Sequence, residues 1–166
     1  MFPTVHTLGM EIRTKVVEYV EQRIEKLREE NKEQYLNVSV VLSNAMKYFP
    51  NYFNKGQLKK IFFLFPDPHF KKSNHKRRII STQLLSEYAY ALSVGGIAYT
   101  ATDVEDLHIW MVKHFETHPL FQRLTQEELN EDPVVPVILS ATEEARKVAR
   151  NDGKKYVAVF RRINPQ

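Results

Sequence analysis

The sequence contains no cysteine. A disulfide scaffold, a thiolate zinc site and a thiol nucleophile are therefore excluded, and the composition is compatible with a reducing compartment. No apolar run approaches the roughly 20 residues that a membrane-spanning helix needs. The opening residues, MFPTVHTLGMEIR, lack the basic start and apolar stretch of a secretory leader. The glycosylation-like triplet Asn37-Val38-Ser39 is accordingly incidental. Glycine is scarce, with five residues at 9, 56, 95, 96 and 153, and none makes the G-x-G-x-x-G spacing of a cofactor-cradling loop. Acid is nearly missing from one stretch: Lys55 to Arg78 holds eight Lys or Arg residues and a single acid, Asp67.

What is present suits a globular chain. At 166 residues, 43% hydrophobic and 27% charged, it predicts one domain over 1–166 with one core. The net charge is +4, and half of the 20 acids lie in residues 103–144. This asymmetry favours one face for a phosphate backbone, with an ordinary solvated loop as the alternative.

Residues 5–11, 36–43, 59–65, 96–102 and 155–163 read as strands, rich in β-branched and aromatic residues. Between them, apolar residues at 12, 16, 17, 20, 24 and 27 follow helical spacing. Residues 44–56 read as a turn-rich connector. Ser81 is placed to cap a helix that Gly95-Gly96 would end, and Asp103 to cap one that stops before Pro119. Residues 120–140, with Pro133 and Pro136, read as irregular, and TEEARKVARNDG as a short helix. The alternation predicts an α/β fold, a mostly parallel sheet with helices on both faces.

In such sheets ligands bind beyond the carboxyl ends of the strands. Glu11 ends the first strand, where a carboxylate can accept both hydroxyls of a ribose or simply favour a helix N-terminus. Asn44 follows the second strand, suited to an adenine edge or to a plain turn. Asp67 follows the third and is locked between Pro66 and Pro68, behind the anchoring Phe62, Phe63 and Phe65. A turn alone needs fewer constraints, so Asp67 is the leading functional candidate. The aromatics Tyr48, Phe49, Tyr52 and Phe53 read as packing rather than base stacking, and Trp110 as the buried face of a helix.

The stretch FFLFPDPHFKKSNHKRR, with LGMEIR before it and TDVEDLHIWM and TEEARKVARNDGKKYVAVFRRI after it, resembles the tRNA (guanine-N7)-methyltransferase family, eukaryotic catalytic-subunit type. The resemblance covers essentially the whole chain. It implies a Rossmann-like S-adenosylmethionine-dependent methyltransferase fold acting on a variable-loop guanosine of tRNA. It also implies a WD-repeat propeller protein as non-catalytic partner, a nuclear location with the cytoplasm as the alternative, and no metal. By resemblance, Asp67 is the active-site aspartate. Glu11, Arg13, Asn44, Ala45, Leu64, Thr142 and Glu144 are cofactor-site positions, and His69, Lys71, Lys72, Lys76, Arg77 and Arg78 form the tRNA contact surface.

One departure is large. Family members begin with a strand and a GxGxGG-type loop that have no counterpart here, so the resemblance implies a domain truncated at its N-terminus, without the strand that would lie between those of Glu11 and Asp67. The alternative function is therefore a non-catalytic form that binds RNA or a partner subunit but not S-adenosylmethionine. Two other classes fit less well. Amino-methyltransferases of adenine or cytosine carry an adjacent proline pair followed by an aromatic, and here the loop is Pro-Asp-Pro-His. A dinucleotide oxidoreductase gives no reason for LFPDPH and needs the same glycine loop.

Overall fold

The computed structural model describes residues 4–141, 146 and 153–164. The chain packs as two compact units, Met1–Phe49 and Pro50–Gln166.

In the first unit, strand β1 (Thr7–Glu11) pairs in parallel with β2 (Val38–Leu42), with Thr7 opposite Val38 and Glu11 opposite Leu42. Helix α1 (Thr14–Glu30) connects them and buries Val17 and Ile24, two positions of the predicted apolar face. It ends where the Asn31 amide and the Asn31 side chain both donate to the Leu27 carbonyl. Arg28 then reaches across to the Val38 carbonyl at 2.8 Å, tying the last turn of the helix to the start of β2. The residues after β2, expected to be a connector, form a short helix α2 (Ala45–Tyr48) continued as a 3₁₀ turn over Phe49–Asn51.

The second unit holds a four-stranded sheet in the order β3 (Leu58–Leu64), β4 (Leu92–Thr102), β6 (Tyr156–Arg162), β5 (Phe121–Arg123). Strands β3 and β4 are parallel, while β6 runs antiparallel to both of its neighbours. The sheet is thus more mixed than the predicted mostly parallel one: the late strand enters from the far end and lies between β4 and β5. Helices cover both faces, as predicted. On one face, α3 (Thr82–Ala91) and α4 (Glu105–Thr117) bury Leu84, Leu85, Tyr88, Leu107, Met111 and Phe115. Phe63 meets Tyr88 and Phe115 there, and Phe115 stacks flat on Phe160 at 4.2 Å. On the other face, Tyr99, Ala101 and Val159 pack against Val134 and Ile138 of α6 (Val134–Ala141). The alternation of 98 and 100 against 99 and 101 is the two-residue period of a strand covered on both sides.

Several local expectations change. Ser81 caps α3 as predicted, its hydroxyl accepting from the Leu84 amide. Gly95-Gly96, however, does not end that helix. The helix stops at Ala91 and the glycines lie inside β4, where the register slips between Leu58 and Lys60. Gly95 has φ +80°, and a Cβ on Gly96 would meet the Leu92 side chain and the Ser93 carbonyl at 2.8 Å, so the kink requires glycine. Asp103 does not cap α4. Val104 holds the cap position without a side-chain bond, and the Thr102 hydroxyl receives the Val104 amide. The stretch 120–140, expected to be irregular, contains β5, α5 (Gln126–Glu131) and α6. Thr125 and Glu128 close a capping box on α5. Pro136 sits in the first turn of α6, where the backbone N–H has no helical partner to lose. The predicted TEEARKVARNDG helix lies largely outside the described residues.

Candidate functional site

Each unit presents its own set of candidates at the carboxyl ends of its parallel strands. In the first, Glu11 closes β1. Its Oε1 accepts the Ile12 and Arg13 amides at 2.8 and 2.9 Å, and the Arg13 guanidinium reaches both carboxylate oxygens at 3.3 Å. Partial burial pushes this carboxyl up, but the Arg13 side chain, the Arg13 amide and the Ile12 amide outweigh it and hold it below the ordinary range. Glu11 is therefore a fixed, ionised acceptor, and Oε2, which takes only the Arg13 guanidinium among these bonds, keeps acceptor capacity for a hydroxyl. Arg13 is brought together with Glu11 as its orienting partner.

Asn44 stands at the cap of α2, two residues beyond the end of the facing strand. Its carbonyl accepts the Lys47 and Tyr48 amides, and its side chain makes no capping hydrogen bond. A cap asparagine that does not cap keeps its amide for another partner. Ala45 opens the helix beside it. These groups fit an adenosine: a carboxylate for ribose hydroxyls, an amide for a base edge.

In the second unit β3 ends at Leu64, which is opposite Ala101 and 39% exposed. The chain then turns sharply. The Phe65 amide bonds to the Ala101 carbonyl at 2.7 Å, and Phe65 takes φ +48°. Four residues later His69 takes φ +45°. Left-handed backbone at two non-glycine residues is strained, about 1–3 kcal/mol each, and such strain gathers at functional sites. Asp67 lies midway between them. Its side chain is 73% exposed, and its Oδ1 is pinned by the His69 amide at 2.9 Å. The turn is thus rigid while the carboxylate faces outward.

The basic segment follows as a 3₁₀ helix over Lys72–Arg77 with Lys71 at its cap. Lys71, Lys72, Lys76 and Arg77 are exposed, and His69 is half-buried beside Asp67. Arg78 departs from the expectation of a phosphate contact. It is 2% exposed, its Nε donates to the Pro68 carbonyl at 2.9 Å, and its guanidinium lies 4.8 Å from the centre of the Trp110 ring. A cation so placed cannot meet a phosphate, and Arg78 is corrected to an internal contact of the Asp67 turn. Trp110, read only as packing, donates to the Ile80 carbonyl and carries both Arg78 and the edge of His75 on its ring.

Phe70 was not singled out from the sequence. It is 74% exposed between His69 and Lys71, and the signal was a lone apolar residue inside a basic loop. Of the four connector aromatics, Phe49 is buried, while Tyr48 and Tyr52 are exposed, so packing accounts for only part of that group. Thr142 and Glu144 lie outside the described residues. Among the described residues no three His, Asp or Glu side chains gather as a metal site. Ser86 and His118, 3.0 Å apart, resemble a nucleophile and its base. The Leu120 amide donates to Nδ1, so Nε2 carries the proton and donates to the Ser86 hydroxyl, which in turn donates to the Thr82 carbonyl. That direction makes the pair a structural tie.

Comparison with known proteins gives the family and the fold. A family model described as "Putative methyltransferase" matches residues 1–158. A tRNA (guanine-N(7)-)-methyltransferase of Dictyostelium discoideum is 60% identical over 98% of this chain and 59% of its own length. Relatives of the same name from Bombyx mori and Arabidopsis thaliana are 60% and 62% identical over 98% of this chain, and 69% and 65% of their own lengths. The chain thus spans about two thirds or less of most of these curated relatives. Among solved structures, an rRNA methylase from Streptococcus thermophilus superposes with a TM-score of 0.58 at 10% identity, over 96% of this chain and 74% of that one. A SAM-dependent O-methyltransferase from Thermotoga maritima gives 0.55 at 13% identity, over 97% and 51%. These likenesses assign the fold as Rossmann-like, of the S-adenosylmethionine-dependent methyltransferase kind.

Proposed function

This chain belongs to the tRNA (guanine-N7)-methyltransferase family, and we propose that it transfers the methyl group of S-adenosylmethionine to N7 of a guanine in tRNA. The observation that carries the reading is the Asp67 turn: a rigid, outward-facing carboxylate at a strand end, followed at once by four exposed cations.

The chemistry asks little proton transfer of the protein. Guanine N7 has a free lone pair and no proton, so no general base is needed to make it a nucleophile. When bound, S-adenosylmethionine supplies an electrophilic methyl on a sulfonium. The residues' task is alignment and charge. Asp67 accepts from the N1–H and 2-amino groups of guanine, which orients the base and offsets the positive charge that grows on the purine. Lys71, Lys72, Lys76 and Arg77 meet the phosphates of the RNA, with His69 beside them. Glu11, held ionised and oriented by Arg13, would take the ribose hydroxyls of the cofactor, and Asn44 and Ala45 would hold its adenine edge. By the family resemblance, Leu64, Thr142 and Glu144 are further cofactor-site positions. The family resemblance supports two further parts of the proposal: a WD-repeat propeller protein as non-catalytic partner, and a nuclear location.

The test compares the wild-type protein with Asp67→Ala, given tRNA and methyl-labelled S-adenosylmethionine. The wild type should label tRNA and the variant should not, while both bind S-adenosylmethionine with the same calorimetric affinity. Equal labelling by the variant removes Asp67 from the mechanism. No labelling and no cofactor binding by folded wild type would leave the non-catalytic RNA- or partner-binding reading.

A further inference from the structure

We propose that Arg78 is a positioning residue for Asp67: from inside the protein, its guanidinium clamps the turn that aims the carboxylate. This deepens the proposed function and rests on it. The Pro66–Pro68 pair contributes no backbone N–H, so the turn has two fewer donors with which to hold itself. Its left-handed ends, Phe65 and His69, are the kind of conformation that persists only where the surroundings over-determine it. The Phe65 amide is tied to β4 and the His69 amide to Asp67 itself. The Pro68 carbonyl, immediately after the aspartate, is held from outside by Arg78 Nε at 2.9 Å.

The clamp has a base of its own. The guanidinium lies over Trp110, its Nη2 reaches Asp106 at 3.4 Å, and the Arg78 amide bonds to the His75 carbonyl. Trp110 is fixed in turn by its bond to the Ile80 carbonyl. Asp67 is thereby connected through Pro68 and Arg78 to helix α4, a rigid element with Leu107, Met111 and Phe115 in the core. A planar, forked guanidinium can stack on an indole and donate in its own plane at the same time, which a lysine ammonium cannot do. Three residues in a row, Lys76, Arg77 and Arg78, thus divide between two tasks: two face the solvent and one turns inward.

The test uses the intact protein with Arg78→Ala and Arg78→Lys, the second variant keeping a cation in case alanine unfolds the loop. Hydrogen exchange should rise at the Phe65, Asp67, His69 and Phe70 amides in both variants, with the core amides of β4 and α4 unchanged. For methyl transfer to tRNA, kcat should fall about 100-fold in Arg78→Ala, the scale of a small misplacement of a catalytic group. Lysine should rescue only in part, and the KM for tRNA and its salt dependence should stay as in wild type. Unaltered loop exchange overturns the clamp. A raised KM with a flatter salt slope and unchanged kcat also overturns it, because Arg78 would then be a phosphate ligand. Wild type that transfers no methyl to tRNA refutes the proposed function instead, and loop exchange still decides the clamp.

Discussion

Replacing Asp67 by asparagine separates the fold from the chemistry. The Asp67 side chain is 73% exposed, and the hydrogen bond it makes accepts the His69 amide through Oδ1. Asparagine keeps that oxygen and the turn, so stability should change by less than about 0.5 kcal/mol, as for most surface substitutions. The effect on the base is larger. A carboxylate accepts both guanine donors, whereas an amide accepts one and sets its own N–H groups against the other. A hydrogen bond to a charged partner contributes about 1.5–3 kcal/mol, and leaving a donor unpaired adds a desolvation penalty of similar size. A loss of about 3 kcal/mol or more follows, which at about 1.4 kcal/mol per tenfold is at least about 100-fold in kcat/KM. Initial rates of methyl transfer at limiting tRNA measure this directly, beside a thermal melt that should not move. An Asp67→Asn enzyme within threefold of wild type would refute the idea that the carboxylate holds the base.

Replacing Lys71, Lys72, Lys76 and Arg77 together by alanine should weaken tRNA binding and lower the slope of log Kd against log salt by about 3; an unchanged slope returns the segment to a solvated loop. Phe160→Ala removes a fully buried ring stacked on Phe115, and should cost about 3–5 kcal/mol in urea unfolding; a loss below about 1 kcal/mol would contradict the assigned core. Burial first and the Arg162 charge second lower the pKa of His118, and burial with Arg123 lowers that of His108. Both histidines are therefore held neutral in the folded state. Their contribution is complete above the ordinary value of 6.5 and declines as pH falls below it, when the unfolded chain takes up more protons. Urea midpoints should drop between pH 7.5 and 5.5, and a double substitution by glutamine should flatten that drop. A profile unaltered by the substitutions would refute this assignment.

What was legible in the sequence was local. The Ser81 cap could be read because its partner is three residues away on the same chain. The rigidity of Asp67 could be read because proline fixes its own φ and restricts its neighbour. What was missed depended on the tertiary setting. Pro133 and Pro136 suggested irregular chain, yet a helix tolerates proline in its first turn, and α6 places Pro136 there. Gly95-Gly96 has the composition of a helix end and serves instead as a kink inside β4, because a close approach to Leu92 and Ser93 excludes a side chain. The antiparallel entry of β6 had no sequence signal, since KYVAVFRRI reads the same in either direction of pairing. Arg78 is chemically indistinguishable from Arg77 in the sequence. Only its position against Trp110 and Pro68 turns it from a surface cation into an internal one.

The central claim concerns a single atom of the substrate. Nucleoside mass spectrometry of tRNA, after reaction with the protein and S-adenosylmethionine, identifies it. The expected product is 7-methylguanosine at one position of the tRNA, absent when Asp67→Ala replaces the wild type. A methyl group on an exocyclic amine, on guanine N1 or on a ribose would contradict the account.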